Sequence, residues 1–449
     1  MTYSKNESYK RYWPMSEIRK VETDMELLEK VLSKENLNKA YKQVYKNKGT
    51  SGVDGVTVEE LFAYIKEHKE EILWQIRNRK YNPQPVRRVY IPKENGKLRK
   101  LGISSVIDRV LQQAIVQVLT PIYEEQFSNN SFGFRPNRSC EMAVVKVLEC
   151  FNDGYDWVVD IDLQSFFDEV NQDKLIGIIR RTIKDGNLVS LIRKFLQSGV
   201  MEKGIIQETK KGTPQGGNLS PLLSNIMLNE LDKELEARKL HFVRYADDCL
   251  IMVKSEKAAN RVMESITTFI IKKLGLIVNV EKSKVARPNQ IKYLGFGFYK
   301  KFNQNIWRPK PHIKSIQKFK TKLRDILTRS KSISLDERLL KLKQLIYGWI
   351  NYLRIADMKV LLRELDMHIR RKLRVIIWKQ WKKIRKRYTC LRKLGISHRD
   401  AYVTANSRGG YYHIAHTRVL EQAMSKERLN KRGLVNCLDH YMKVHIITN

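Results

Sequence analysis

The chain has 449 residues, 42% hydrophobic and 9% aromatic, enough for two or three domains with real cores, so an unfolded chain is excluded. Its 85 Lys and Arg against 48 Asp and Glu give a formal charge of +37, far beyond what solubility needs, and point to a polyanionic partner, nucleic acid before membrane. No window holds the apolar run of about 18 residues that a membrane span requires, and the polar start "MTYSKNESYKRYWP" lacks a signal peptide's core, so a cytoplasmic protein is expected.

After a polar leader, residues 1–25, the stretch "MELLEKVLSKENLNKAYKQVYKNKG" has helical spacing and ends at a glycine. A loop, "GTSGVDG", leads to "TVEELFAYIKEHKEEILWQI", where Thr57 and Glu60 stand in capping-box register and Leu61, Ile65, Ile72 and Ile76 share a face. "VRRVYIPKENGKLRKLGI" reads as two strands joined at Asn95-Gly96, a pair that tolerates positive φ. Helical patterns over 105–122 and 139–152 precede the strand "DWVVDIDL". A period of two there puts Val159, Ile161 and Leu163 on one face and Asp160 and Asp162 on the other.

Farther on, "KKGTPQGGNLSPLLSNIMLNELDKEL" is a glycine-bearing loop entering a helix, with Ser220 as N-cap and Pro221 at its first position. In "VRYADDCLIMV" two adjacent aspartates interrupt an apolar strand pattern, which reads as a tight hairpin with Asp247 and Asp248 at its tip. Alone, it could be a solvated turn; carboxylates withdrawn from water need a donor or a cation. From residue 334, "SLDERLLKLKQLIYGWINYLRI" carries a second capping box, Ser334 and Glu337, and an apolar face of Leu342, Leu345, Ile346, Trp349 and Leu353. "IRRKLRVIIWKQWKKIRKR" then holds ten Lys and Arg and no acid. Residues 301–449 hold 36 Lys and Arg against 10 Asp and Glu, so most of the charge lies in this last third. Cys140, Cys150, Cys249, Cys390 and Cys437 have neither disulfide nor zinc spacing, and most read as buried thiols.

Taken in order, the basic hairpin, the Asp-bearing strand with "FFD", "TPQGG", "YADD" and "YLGFGF" resemble the palm of reverse transcriptases. "GFRPNRS" at 133–139, "PQGGNLSPLLSNIMLNELD" and "VRYADD" are similar to bacterial group II intron-encoded reverse transcriptases, or maturases, and "GWINYLR" resembles their thumb. The resemblance runs from about residue 26 to the C-terminus. It implies an α+β right-hand polymerase: an N-terminal extension of the fingers (26–84), fingers and a palm with an antiparallel sheet (85–305), a helical thumb or maturase domain (306–390) and its basic C-terminal part (391–449).

The implied chemistry is nucleotide addition assisted by two Mg²⁺ ions roughly 3.5 to 4 Å apart, which carboxylate oxygens would hold. Asp162, Asp247 and Asp248 are the implied catalytic and metal residues, with Ile161 in the metal set. Asp162 is preferred to Asp160 because the family's aspartate stands five positions before the sugar-contacting aromatic, here Phe167. Asp160 and Asp168 read as structural. Phe167, a core aromatic on its own, is implied as the steric gate that excludes a 2′-hydroxyl. Lys93 and Arg99 match triphosphate-binding positions, and a solvated basic turn is the plain alternative for each. Gln215 is implied beside the nucleotide, with Gly216 and Gly217 allowing close backbone approach. Lys282 is implied at the pyrophosphate, though a surface lysine is the plainer reading. Tyr293, Leu294, Gly295 and Phe296 are the implied primer grip. Arg370, Arg371, Lys372, Arg374, Lys379, Lys382, Lys383 and Arg385 are expected to bind RNA phosphates, with Trp378 and Trp381 as core anchors.

The implied partners are group II intron RNA, an RNA template with its DNA primer, dNTPs and target DNA, with no membrane. Only about 60 residues follow the thumb, without the paired cysteines of an endonuclease domain, so the compact class is expected, with its primer drawn from elsewhere, such as a nascent strand at a replication fork. The function implied is copying intron RNA into cDNA and assisting splicing and retrohoming. A domesticated reverse transcriptase serving repair or phage defence, and an RNA-binding splicing factor with a dead polymerase, are the rivals. Three convergent acids argue against the latter. A nucleotidyl cyclase or primase shares the carboxylates but accounts for neither Phe167 nor the basic thumb.

Overall fold

The structure, a computed structural model, describes residues 27–92, 96 and 98–446. Contacts divide the described residues into two compact units, one within residues 1–143 and 159–285 and the other within residues 144–158 and 286–449.

Unit 1 opens with α1 (Leu27–Leu32) and α2 (Lys34–Asn47). The sequence pattern predicts one helix; there are two because Ser33, at ψ 142°, leaves helical geometry and its hydroxyl accepts the Asn36 N–H at 3.3 Å. Ahead of α3 (Leu61–Arg77) the predicted capping box is closed in both directions. Thr57 donates its N–H to the Glu60 carboxylate at 2.9 Å, and Glu60 donates its own to the Thr57 hydroxyl at 3.3 Å. β1 (Val86–Pro92) and β2 (Leu98–Ile103) pair antiparallel out to Pro92 opposite Leu98. Gly96 between them has φ 77°, while residues 93–95 and 97, the rest of the predicted turn, lie outside the described residues.

Next come α4 (Val106–Glu124), α5 (Cys140–Asn152, residues 144–152 of which belong to unit 2), β3 (Trp157–Ile161, in unit 1 from residue 159), the single turn α6 (Phe166–Glu169), α7 (Gln172–Thr182) and α8 (Gly186–Leu196). β4 (Val200–Glu202) and β5 (Ile205–Gln207) complete a mixed sheet of order β2-β1-β4-β5, in which β1 and β4 run parallel. α9 (Ser220–Ala237) follows the "TPQGG" loop. Ser220 is not its N-cap as predicted: it is the first helical residue, and its hydroxyl donates to the Pro214 carbonyl at 2.6 Å, tying the loop to the helix start. β6 (His241–Tyr245), β7 (Asp248–Val253) and β8 (Lys284–Ala286) join β3 in the second sheet, of order β6-β7-β3-β8, and α10 (Glu256–Phe269) follows β7 in the chain. Its central strands are apolar on both faces: Val158, Val159 and Ile161 of β3 and all of β7 from Cys249 to Val253 are buried. Burial on both sides explains the near-continuous apolar runs. Asp162, Asp247 and Asp248 are left at strand ends, while Asp160 stays within β3.

In unit 2, β9 (Phe296–Lys301) and β10 (Ile306–Pro311) form an antiparallel pair packed on Phe151 of α5, whose ring meets Phe298 edge-on at 5.1 Å. The helices are α11 (Ile313–Ile326), α12 (Leu335–Tyr352), α13 (Lys359–Gln380), α14 (Ile384–Lys393), α15 (His398–Asn406), α16 (Tyr411–Ile414), α17 (Arg418–Ala423), α18 (Lys426–Lys431) and α19 (Cys437–Val444). Ser334 caps α12 as predicted, accepting the Glu337 N–H at 3.1 Å. All five cysteines are free; Cys150, Cys249 and Cys437 are buried and the other two are half-buried. Among the described residues no helix is long and apolar enough to cross a membrane.

Candidate active site

Asp162 is the first residue past the end of β3, half-buried. Its backbone is held from both sides, the N–H donating to Ser283 Oγ at 3.1 Å and the carbonyl accepting the Asn279 N–H at 2.8 Å. Tyr245 pairs with Asp248 across β6 and β7, so Ala246 and Asp247 make a two-residue turn, and Ala246 has the positive φ, 56°, that such hairpins need. Asp247 sits in that turn and Asp248 starts β7, which carries both to the end of the sheet where β3 delivers Asp162.

Burial is the main reason the Asp247 carboxyl titrates above the usual range. The Asp162 charge adds to that effect, and Arg99 and Arg244 oppose it. Asp160, deeper along β3, is pushed up to about 6, chiefly by burial. Lys282 Nζ lies 3.2 and 3.3 Å from the two Asp162 oxygens.

Among the described residues no three carboxylate, imidazole or thiol groups gather closely enough to hold a metal ion by themselves. Mg²⁺ does not require such a cluster, since it takes one or two carboxylates and completes its shell with water and substrate phosphates. The donor set of Asp162, Asp247 and Asp248 fits that cation, hard oxygen ligands at an open strand end. The Ile161 side chain is buried at 1% exposure and is hydrocarbon, so only its backbone carbonyl oxygen has ligand chemistry.

A second feature of unit 1 is a cavity of about 390 Å³ lined by Phe167 and Gln215. Ser165 holds a left-handed conformation, φ 46°, which turns Phe166 into the core and leaves Phe167 half-buried at the cavity wall. The "TPQGG" loop is latched to both neighbours: Thr213 N–H donates to the Phe167 carbonyl at 2.7 Å, and Gly102 N–H donates to the Gln215 carbonyl at 2.6 Å. Gly216 is exposed at φ 108°, and a Cβ there would lie 2.6 Å from the Gly102 carbonyl, so a side chain could not be accommodated.

The same cavity brings in Arg88, Lys100 and Lys211, which sequence reasoning missed. Arg88 Nε and Thr213 Oγ1, both on the cavity wall, are buried without a hydrogen-bond partner. Strand register explains the omission. Arg88 and Lys100 share one face of the β1–β2 hairpin, whereas Arg99, opposite Ile91, is on the other. Arg99 is exposed and its charge acts on Asp247 rather than lining the cavity. Lys93 lies outside the described residues.

Residues 91–298 match the reverse transcriptase (RNA-dependent DNA polymerase) family, and residues 316–395 match the group II intron, maturase-specific domain. Protein YkfC of Escherichia coli is 34% identical over 303 residues, 59% of this chain and 80% of that protein. The chain belongs to the reverse transcriptases that carry a group II intron maturase domain. The group II intron-encoded protein LtrA of Lactococcus lactis subsp. cremoris is 33% identical over 323 residues, 57% of this chain, and the match spans about half, 54%, of LtrA. Among solved structures, a partial Cas6-RT-Cas1--Cas2 complex aligns at TM-score 0.36 and 23% identity, covering 57% of this chain and 44% of that one.

Within unit 2 of this reverse transcriptase, "YLGFGF" forms a tight turn. Tyr293 and Phe296 exchange backbone hydrogen bonds of 3.0 and 2.8 Å around Leu294 and Gly295, whose φ values are 49° and 85°. Tyr293 and Phe296 are buried, at 2% and 0% exposure, because the turn packs their rings into the core. Leu294 and Gly295 form the accessible tip, with the Leu294 carbonyl accepting the Tyr352 hydroxyl at 2.9 Å.

The basic run of the maturase domain is split. α13 ends at Gln380, Trp381 (φ −85°, ψ 69°) leaves helical geometry, and α14 restarts at Ile384. Arg371, Lys382, Lys383 and Arg385 are exposed, and Arg370, Lys372 and Lys379 are half-buried. Arg374 departs from the expectation, being 5% exposed and paired with Glu421 at 2.7 Å, hence not offered to a phosphate. Trp378 is buried, with Trp381 edge-on at 5.9 Å. Lys372 also lines a cavity of about 280 Å³ with Arg324, Arg329, His368 and Tyr412 and no acid. Arg324 and Arg329 lie outside the run that sequence reading singled out, in segments where cations are spaced by apolar and polar residues.

Proposed function

We propose that the chain is an RNA-directed DNA polymerase that copies intron RNA into cDNA and binds its parent group II intron RNA to assist splicing and retrohoming. The observation that carries this reading is the delivery of Asp162 and of the hairpin bearing Asp247 and Asp248 to one end of one sheet, inside a reverse transcriptase domain. Residues 85–305 are assigned to fingers and palm and 306–390 to the thumb, with group II intron RNA, a primed RNA template, dNTPs and target DNA as ligands.

Asp162, Asp247 and Asp248, with the Ile161 carbonyl, are the groups that would hold two Mg²⁺ ions. Such ions, when bound, activate the primer 3′-hydroxyl and neutralise the leaving pyrophosphate. Arg99, with Lys93, holds the triphosphate, the arginine through its bidentate fork. Lys282 supplies a cation next to Asp162, where negative charge develops on the pyrophosphate. The Phe167 ring fills the space of a 2′-hydroxyl, so ribonucleotides are rejected by overlap. Gln215 positions the base pair from its loop. The tip Leu294–Gly295 supports the primer, and the exposed cations of α13 and α14 take RNA phosphates without reading sequence.

One experiment separates the parts of this reading: splicing of the parent intron at low Mg²⁺ with and without the protein, and cDNA synthesis on the same RNA. Both activities are expected. Synthesis without splicing assistance would indicate a domesticated polymerase, and splicing assistance without synthesis a pure RNA-binding factor.

A further inference from the structure

The hairpin that carries Asp247 and Asp248 is anchored by an ion pair with no solvent exposure. Arg244 Nε and Nη2 donate to the two Asp232 oxygens at 2.7 and 2.5 Å, and both side chains are 0% exposed. Arg244 Nη1 donates to Asn225 Oδ1 at 3.0 Å and to the Ala246 carbonyl at 2.9 Å. Asn225 in turn donates through Nδ2 to the Gly133 carbonyl at 2.8 Å. The loop bearing Gly133 is stitched to β6 as well, by Arg244 N–H to Asn130 O at 2.9 Å and Phe132 N–H to Arg244 O at 2.8 Å. At Gly133 the approach is so close that a Cβ would lie 2.2 Å from the Ala246 nitrogen.

Stability alone gives no reason for such a pair, because an apolar replacement of a buried ion pair is often neutral or stabilising. What an apolar replacement could not do is hold a backbone carbonyl in place. The guanidinium fork directs two bonds to Asp232, and its remaining end grips the residue directly before Asp247. That residue, Ala246, is held at φ 56°, a conformation L side chains adopt at a cost, so its surroundings must fix it.

We propose that Arg244, Asp232 and Asn225 are positioning residues that fix the Ala246 turn, and through it the Asp247 and Asp248 carboxylates, for divalent cation binding. Gly133 is the floor on which that turn rests. The inference rests on the polymerase reading above.

Asn225→Leu removes both bonds of the amide at similar volume, and Gly133→Ala pushes on the turn without touching the ion pair. The measurements are Mn²⁺ binding to the full chain by electron paramagnetic resonance, kcat and KM of primer extension, RNA affinity and thermal melting. In both variants Mn²⁺ affinity and kcat are expected to fall about 10- to 100-fold, the usual effect of losing a group that orients a metal ligand, with RNA affinity unchanged and a fold that still melts cooperatively. Wild-type Mn²⁺ affinity and kcat in the variants, with only a lower melting temperature, would overturn the inference. So would failure of both variants to fold, which would assign the network to the core. A wild-type protein that neither binds Mn²⁺ nor extends a primer would instead sink the polymerase reading itself.

Discussion

Phe166 and Phe167 show how backbone geometry separates two identical side chains. The left-handed Ser165 turns the Phe166 ring into the core and the Phe167 ring to a cavity beside Gln215. Replacing the latter ring with a smaller side chain, Phe167→Val, is expected to cut the preference for dNTP over rNTP at least about 10-fold, read as the ratio of kcat/KM values, with dNTP addition retained. An unchanged ratio would place the sugar gate elsewhere. Much at this scale was legible. The three aspartates stand out because an acid in an apolar strand must find a donor or a cation, and Gln215 because a glycine pair before a helix marks a loop that lets something approach its backbone. Arg88 and Lys100 were not legible, since a basic hairpin does not announce which face a loop will cover. The burial of Tyr293 and Phe296 was not legible for a related reason: an aromatic in a short motif reads the same whether its ring faces a ligand or the core.

Elements were read well where the signal was local. The Thr57–Glu60 capping box is closed in both directions and Ser334 caps α12, while the hairpin tip is Ala246–Asp247 rather than the expected Asp247–Asp248, because Asp248 pairs with Tyr245 and starts β7. The break at Ser33 and the split at Trp381 were missed because helical periodicity continues through both, and only the cap geometry or the packing ends the helix. Gly212 illustrates a constraint invisible to periodicity. Its φ is 85° and a Cβ would lie 2.7 Å from the Phe167 carbonyl. Gly212→Ala is therefore expected to cost at least about 1–2 kcal/mol in a denaturant titration and to raise KM for dNTP, because relief of the clash must move Phe167. In unit 2, Asp366 on α13 accepts the N–H groups of Cys437 at 2.7 Å and Leu438 at 3.0 Å, holding the start of α19. Asp366→Ala should cost about 1–2 kcal/mol and speed proteolysis within residues 436–444. Wild-type cleavage rates there would show that other contacts carry the attachment.

For the molecule as a whole, charge was the most legible property and its placement the least. The last third carries most of the +37, and the maturase domain lies within it, but solvent access decides which cations can meet a phosphate. Arg371 is exposed and Arg374 is buried against Glu421. Arg371→Gln is thus expected to lower the salt dependence of RNA binding by close to one charge, a change of about 0.7 to 1 in the slope of log K against log salt. Arg374→Gln should leave the slope alone and lower stability. Equal slopes for both variants would mean that the face carrying Arg371 does not meet RNA.

The central claim is that two adjacent aspartates interrupt an apolar strand pattern because they hold catalytic divalent cations. Primer extension on an RNA template with Mg²⁺ and dNTPs, comparing wild type with Asp247→Ala and Asp248→Ala while RNA binding is titrated at fixed salt, tests it most directly. Extension by wild type alone, with equal RNA affinity for all three proteins, is the predicted result. Extension by either variant at the wild-type rate, or tight RNA binding by all three with no extension by any, would contradict it.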